Sequence, residues 1–180
     1  MILELGLKGD EIRVVPHEAG WHDAFLAMQQ ELVDATGLAP SHIEHIGSTA
    51  IEGIEAKPII DSMVGVESLE NVPTSFFDAC KTIGFYRLRV VRENEIILAR
   101  FVDTTFAVKT HIIHLVVYQG DKWQAFQIFR DALQQSAALR AAYEALKKDY
   151  IAKFDGNIVG YTEHKEAFVK RVVQEGKANL

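Results

Sequence analysis

The stretch from Pro58 to Val66 constrains the fold more than any other part of the chain. Ile59, Ile60, Met63, Val64 and Val66 follow one another almost without a polar break. So short and dense an apolar run predicts a central strand covered on both faces, and hence a sheet with packed layers on either side. The run also contains Asp61. A carboxylate among Ile, Ile, Met and Val must be solvated at a strand edge, paired, or used on a metal, because an isolated buried charge is costly.

Helical and strand patterns alternate around this run. Glu11 to Val15 reads as a short strand closed by Pro16, which cannot donate to a ladder. Trp21, Phe25, Met28 and Leu32 recur at spacings of four, three and four, which predicts a helix with one apolar stripe, ended by Gly37. Ser41 to Ser48 is a candidate strand running into the small-residue turn Gly47-Ser48-Thr49-Ala50. Pro73 to Gly84 reads as a helix, and Phe85 to Val91, Ile96 to Val102 and Phe106 to Tyr118 as strands, with Glu93-Asn94-Glu95 turning between two of them.

The last third is helical. Asp121 with Gln124 resembles a capping box, Leu139, Tyr143, Leu146 and Tyr150 continue an apolar stripe, and Thr162 caps a last helix bearing Phe168, Val169, Val172 and Val173. This order of elements predicts an α+β fold with a mixed sheet rather than a doubly wound one. The expected organisation is one domain over residues 1–180, with a core at about 11–118 and C-terminal helices at about 121–175.

Composition narrows the classes. With 48% hydrophobic residues the chain can bury a proper core. A formal net charge of −6 gives no electrostatic reason to expect nucleic acid or an anionic membrane as partner. Cys80, the single cysteine, can form no internal disulfide and rules out a cysteine-based zinc site. It lies in the apolar-rich stretch Phe76 to Phe85, where it reads as a buried structural thiol. With no secretory leader and no spanning run, the cytoplasm is the expected compartment.

The chemistry concentrates in His45-Ile46-Gly47-Ser48-Thr49 and Lys57-Pro58-Ile59-Ile60-Asp61. A strand that ends in Gly-Ser and turns into a helix offers backbone N–H groups and a hydroxyl to anionic oxygens. On this reading Gly47, Ser48, Thr49 and Lys57 hold phosphates while Asp61 holds Mg²⁺. The bland alternative is that Asp61 caps its strand or pairs with an arginine. Arg100, on a strand, is a further candidate for phosphate. Arg130 and Asp131 read as an internal ion pair or cap, and Trp123, Phe126 and Phe129 as core. Glu44 and His45 lie on alternate faces, so only one can point to the pocket.

The long strings Ile46-Gly47-Ser48-Thr49-Ala50 and Ala56-Lys57-Pro58-Ile59-Ile60-Asp61 carry a resemblance. With Trp21, Gly53, Thr110-His111, His114 and Phe129-Arg130-Asp131, they resemble the GrpB family, small bacterial proteins on the nucleotidyltransferase-like fold. Leu146-Lys147, Asp155, Tyr161-Thr162, Lys165 and Phe168 extend it, so the likeness runs from about Val14 to Val173. The resemblance implies a nucleotidyltransferase-like mixed sheet flanked by helices, with a C-terminal helical segment.

The resemblance also implies a nucleotide or other phosphate-bearing ligand, Mg²⁺, and nucleotidyl transfer onto a protein or small hydroxyl acceptor. Active members of that superfamily place two carboxylates at i and i+2 of one strand, where they share the metals. Here Ser62 and Met63 follow Asp61, so the second position is apolar. The family pattern His-His-Leu-His-Val is also broken, because Ile112 takes the middle histidine's place. His111 and His114 then fall on opposite faces of a regular strand, and His114 is the one expected to face Asp61 as metal ligand or proton-transfer group. That separation also counts against metal-assisted hydrolysis by both histidines.

The rival reading is a non-catalytic module that senses a ligand or docks to a protein. Some GrpB relatives are fused to a dephospho-CoA kinase, which suits an accessory role, but this chain has no Walker A string.

Overall fold

The computed structural model describes residues 3–9, 11, 13–153 and 158–178. In chain order its strands and α-helices are β1 (Leu7–Lys8), α1 (Gly20–Thr36), β2 (Ile43–Ile46), β3 (Ile60–Val66), α2 (Thr74–Thr82), β4 (Phe85–Arg87), β5 (Ile96–Phe101), β6 (Val108–Val117), α3 (Asp121–Gln135), α4 (Ala137–Lys153) and α5 (Ile158–Ala178). The strands form one mixed sheet in the order β2-β3-β6-β5-β4, with β1 paired to the start of β6. β3 and β6 run parallel and the other pairs antiparallel. The fold is α+β, as the order of patterns predicts.

Apolar residues cover both faces of β3. Ile60 and Val64 join the stripe Trp21, Phe25, Met28 and Leu32 of α1, with Cys80 of α2, in the main core. Met63 points the other way, into a smaller core with Ile46, Val116 and Trp123 of α3. Burying each such large side chain contributes about 1.5–3 kcal/mol. Gly37 ends α1 in the left-handed conformation at φ 74°, and its N–H donates to Val33 O. Asp61 shares Met63's side of the sheet by the two-residue alternation of a strand.

A third cluster joins the C-terminal helices to the connection before β3. Ile51 and Ile54 pack there with Leu133, Tyr143, Phe168 and Val172. α4 and α5 are thereby held beside the turn that follows β2. Cys80 is fully buried, and burial pushes its thiol up to about 12.

Several local expectations are corrected. Among the described residues of the stretch Glu11–Val15 only Val15 pairs, in a single bridge to Ala56, and the sheet starts earlier, at Leu7. Glu11 is taken up in a local turn instead: its N–H donates to Lys8 O, and its carboxylate accepts from the Lys8 N–H. β2 is shorter than the expected strand, with single 3-10 turns at Pro40–His42 and Ser48–Ala50 on either side. β4 stops at Arg87, short of the expected Val91.

Asp121 is the first residue of α3 rather than its cap; Gly120 takes that place, and Gln124 Nε2 donates to the Gln119 carbonyl. Thr162 lies within α5, not ahead of it. Asp155 lies outside the described residues.

Candidate functional site

β2 ends at Ile46, directly opposite Asp61. The chain then turns through Gly47 at φ +70°, a conformation that L side chains rarely adopt. A Cβ on Gly47 would also sit 2.7 Å from Asp61 Oδ2 and 2.9 Å from the Asp61 Cβ. Glycine is therefore demanded twice, by the backbone angle and by the carboxylate that fills the side-chain space. The turn and Asp61 form one packed unit; burial raises the Tyr143 phenol of α4 to about 12, and Ser48 works against that rise.

Two lysines, Lys57 and Lys165, lie within reach of the Asp61 charge. Burial, and then the charge of Lys165, lower the Lys57 ammonium to about 8, while Asp61 pulls the other way. Lys165 of α5 is likewise brought to about 8 by burial, against the attraction of Asp61. Lys147 of α4 donates to the Glu55 carbonyl, lies 4.8 Å from the Tyr143 ring centroid, and is lowered to about 8, chiefly by burial.

On the side of β6, His114 stands between two carboxylates. Its Nε2 is 3.8 Å from Asp61 Oδ1 and its Nδ1 is 2.9 Å from Glu95 Oε2. Burial opposes its charge, but Asp61 and Glu95 outweigh burial and push the imidazole up to about 9. Glu95 is buried, with Lys122 Nζ at 3.7 Å and Arg92 Nε at 3.9 Å. Burial raises the Glu95 carboxyl, and the hydrogen bond and charge of His114, together with the charges of Lys122 and Arg92, more than reverse it, so its pKa is lowered.

The other sequence candidates go elsewhere. Thr49 is buried; its hydroxyl lies 3.0 Å from His45 Nε2 and donates to the Ile59 carbonyl at 3.4 Å. His45 stacks on Phe25 at 4.8 Å, and burial holds it neutral, near 4. Both line a cavity of about 760 Å³ with His17, His22, Gln134 and Arg140, whose lining excludes Gly47, Ser48 and Asp61.

Arg100 is on the opposite face of the sheet, where its guanidinium pairs with Glu31 of α1 and lies 3.1 Å from His111 Nε2. Glu44 accepts from Arg130 Nη1 at 2.7 Å, and Arg130 Nε donates to Asp131, the expected internal ion pair.

The structure thus brings together Gly47, Ser48, Lys57, Asp61 and His114, and leaves Thr49 and Arg100 apart. Sequence reasoning missed Glu95 and Tyr143 and cited Lys165 only as part of a family pattern. A signal for Glu95 existed: a carboxylate opening the run Ile96-Ile97-Leu98-Ala99 faces the same cost that singled out Asp61. Among the described residues no group of three or more His, Cys, Asp or Glu side chains is placed to hold a metal. No described helix is long and apolar enough to cross a membrane.

The chain is similar to known proteins over nearly its whole length. It is 39% identical to the glutamate-rich protein GrpB of Alkalihalophilus pseudofirmus, over 95% of this chain and 99% of that protein. It is 37% identical to a UPF0157 protein of Deinococcus radiodurans, over 76% of this chain and 68% of that protein. A dephospho-CoA kinase of Mycobacterium tuberculosis matches at 27% identity over 86% of this chain, which spans 43% of the kinase.

Among solved structures, GrpB from Enterococcus faecalis superposes with a TM-score of 0.77 at 26% identity, covering 91% of this chain and 96% of that one. The Cid1 poly(U) polymerase, solved with MgGTP bound, gives 0.51 at 14% identity, over 74% of this chain and 42% of the polymerase. That likeness shows the fold alone, which is nucleotidyltransferase-like. The family model described as GrpB protein matches residues 11–175, and the chain belongs to the GrpB family.

Proposed function

We propose that the chain binds the phosphates of a nucleotide with Mg²⁺ at the Gly47-Ser48 turn and Asp61, in the manner of a nucleotidyltransferase. The observation that carries this reading is the fit of Asp61 into the space of the missing Gly47 side chain. It sets a carboxylate against an open backbone turn that two lysines approach. Positive charge from Lys57 and Lys165 acting on Asp61 beside the Gly47-Ser48 turn suits a polyanionic ligand.

The donor set fits one Mg²⁺. Asp61 is 30% exposed and offers a hard oxygen, and such an ion is satisfied by one or two carboxylates with phosphate oxygens and water. Met63 occupies the place of a second carboxylate, and both ring nitrogens of His114 face carboxylates, so neither is a ligand on this reading. Bound there, the ion would neutralise phosphate charge and polarise the α-phosphoryl group.

Lys57 and Lys165 supply charge to the outer phosphates. An acceptor hydroxyl, on a protein or a small molecule, attacks the α-phosphorus and gives its proton to solvent water, and the bond to the departing pyrophosphate breaks. His114, protonated at neutral pH, contributes positive charge and a proton to the departing oxygens.

A second reading has its own support. Met63 is fully buried in the core under α3, so the second acidic position has been given over to packing. On that reading the site binds or senses a ligand, or the fold docks to a protein, without turnover.

Calorimetric titration with ATP, GTP, CTP and UTP, each with and without Mg²⁺, tests the proposal. Saturable, metal-dependent binding of one nucleotide supports it, and no binding of any of the four favours the docking module. Asp61→Asn should abolish the metal-dependent part of binding while thermal unfolding stays cooperative. Unchanged metal-dependent binding in that variant would remove Asp61 from the site.

A further inference from the structure

Beyond β4 the chain forms an arm, Leu88 to Arg92, that lies outside the sheet ladder apart from Leu88, whose N–H donates to Ile97 O, and Arg92, which bridges to Glu95. Arg87, Arg89, Val90, Val91 and Arg92 are all exposed, and Val91 is 95% exposed. Three arginines within six residues are out of keeping with a chain of net charge −6. Among the described residues β4 is an edge strand, bonded to β5 on one side only. With Leu88 bonded to Ile97, the alternation of an antiparallel ladder turns the backbone groups of Arg87 outward, toward the free edge. Such an edge is a template for another strand.

The arm also touches the candidate site. A cavity of about 460 Å³ is lined by Leu88, Arg89, Val91, Arg92 and Glu95 among others, and Glu95 is the carboxylate that holds His114.

We propose that the free edge of β4 and the arm through Arg92 dock an acidic, extended polypeptide segment and deliver it beside His114. Backbone hydrogen bonds to the edge give the segment its direction, the arginines select acidic side chains, and Val90 and Val91 receive apolar ones between them. The arm contains no aromatic residue on which bases could stack, so charge and edge together fit a polypeptide rather than a single-stranded nucleic acid. Delivery to His114 rests on the phosphate-site reading above; the docking itself does not.

The test uses the full chain and a fluorescein-labelled peptide of alternating Glu and Val, about ten residues long to span the edge and arm at roughly 3.3 Å per residue. Anisotropy should show saturable binding that weakens with salt. The double variant R89E/V91E should weaken it by about tenfold or more. A peptide N-methylated at alternate residues should lose binding, because the edge bonds are gone. Nucleotide titration of R89E/V91E should match that of the unaltered chain, so failure of the docking and failure of the phosphate site are read separately.

A peptide that does not bind, or that binds the variant equally well, overturns the proposal. Tighter binding of oligouridylate that displaces the peptide assigns the arm to nucleic acid instead. Concentration-dependent dimerisation abolished by R89E/V91E assigns it to a second copy of the chain.

Discussion

His111 and His114 sit three residues apart on β6, yet the two faces of the sheet make opposite acids of them. Burial disfavours the charge of both. His114 faces Asp61 and Glu95 and is carried up to about 9; His111, 6% exposed and beside the Arg100 guanidinium, is carried down to about 3. Desolvation is common to both, so the contrast comes from the sign of the partner charge on each face. One face holds a cation among carboxylates next to the Gly47-Ser48 turn. The other holds a neutral ring in a link between α1 and the sheet.

Removing each ring in turn should break this comparison most severely on the His114 side. His114→Leu leaves the buried Glu95 carboxylate, among the described residues, with Lys122 at 3.7 Å and Arg92 at 3.9 Å as its ion-pair partners. Loss of one partner from a buried pair costs about 3 kcal/mol or more, read as a shift of the urea midpoint near neutral pH. His111→Leu should cost about 1 kcal/mol, because Arg100 keeps Glu31. Equal losses from the two variants would show that the carboxylate pair does not set the strength of the His114 side.

The same contrast has a pH signature. The folded pKa of His114 lies above its usual 6.5, so its stabilisation is full below 6.5 and is lost as pH rises through about 9. Lys57, Lys147 and Lys165, each lowered to about 8 from 10.5, run the other way, since their folded-state penalty is relieved as pH rises above 8. The measurement is therefore the stability difference between the unaltered chain and His114→Leu, which should shrink by about 3 kcal/mol between pH 6.5 and 9.5. A difference that stays flat over that range would mean that His114 is neutral in the folded chain. Imidazole NMR should in addition show His111 neutral from pH 4 upward.

Periodicity made much of the fold legible. The four-three-four spacing of Trp21, Phe25, Met28 and Leu32 found the buried stripe of α1, and the run at Ile59 to Val66 found the strand with a core on each side. Alternation alone separated His111 from His114. Pairing between distant residues was not legible in the same way. Glu95 meets His114 through the β5–β6 register, in which Ile97 lies opposite His114. Arg100 shows its face only once it is known to lie opposite His111. Thr49 follows Gly47 and Ser48 in the motif, but the single helical turn there rotates its hydroxyl inward, to His45 and Ile59. Strand period carries faces, whereas register and turn geometry decide which faces meet.

The smallest effect is expected at Arg100, and it sharpens the comparison from the neutral side. In Arg100→Gln the guanidinium next to His111 is gone, so the imidazole should titrate higher than about 3. Burial, the larger cause of its depression, remains, and His111 should still be neutral at pH 7. Glu31 is 48% exposed and stays solvated without its partner, which limits the stability change to about 1 kcal/mol or less. Nucleotide affinity should not change, because the guanidinium is tied to Glu31 and His111 across the sheet from Asp61. NMR of the imidazole and nucleotide calorimetry on the same variant separate two roles for Arg100. A tenfold loss of nucleotide affinity would place Arg100 in the phosphate site and dissolve the distinction between the two faces. A shifted His111 with unaltered affinity would keep Arg100 as the strut that ties α1 to the sheet.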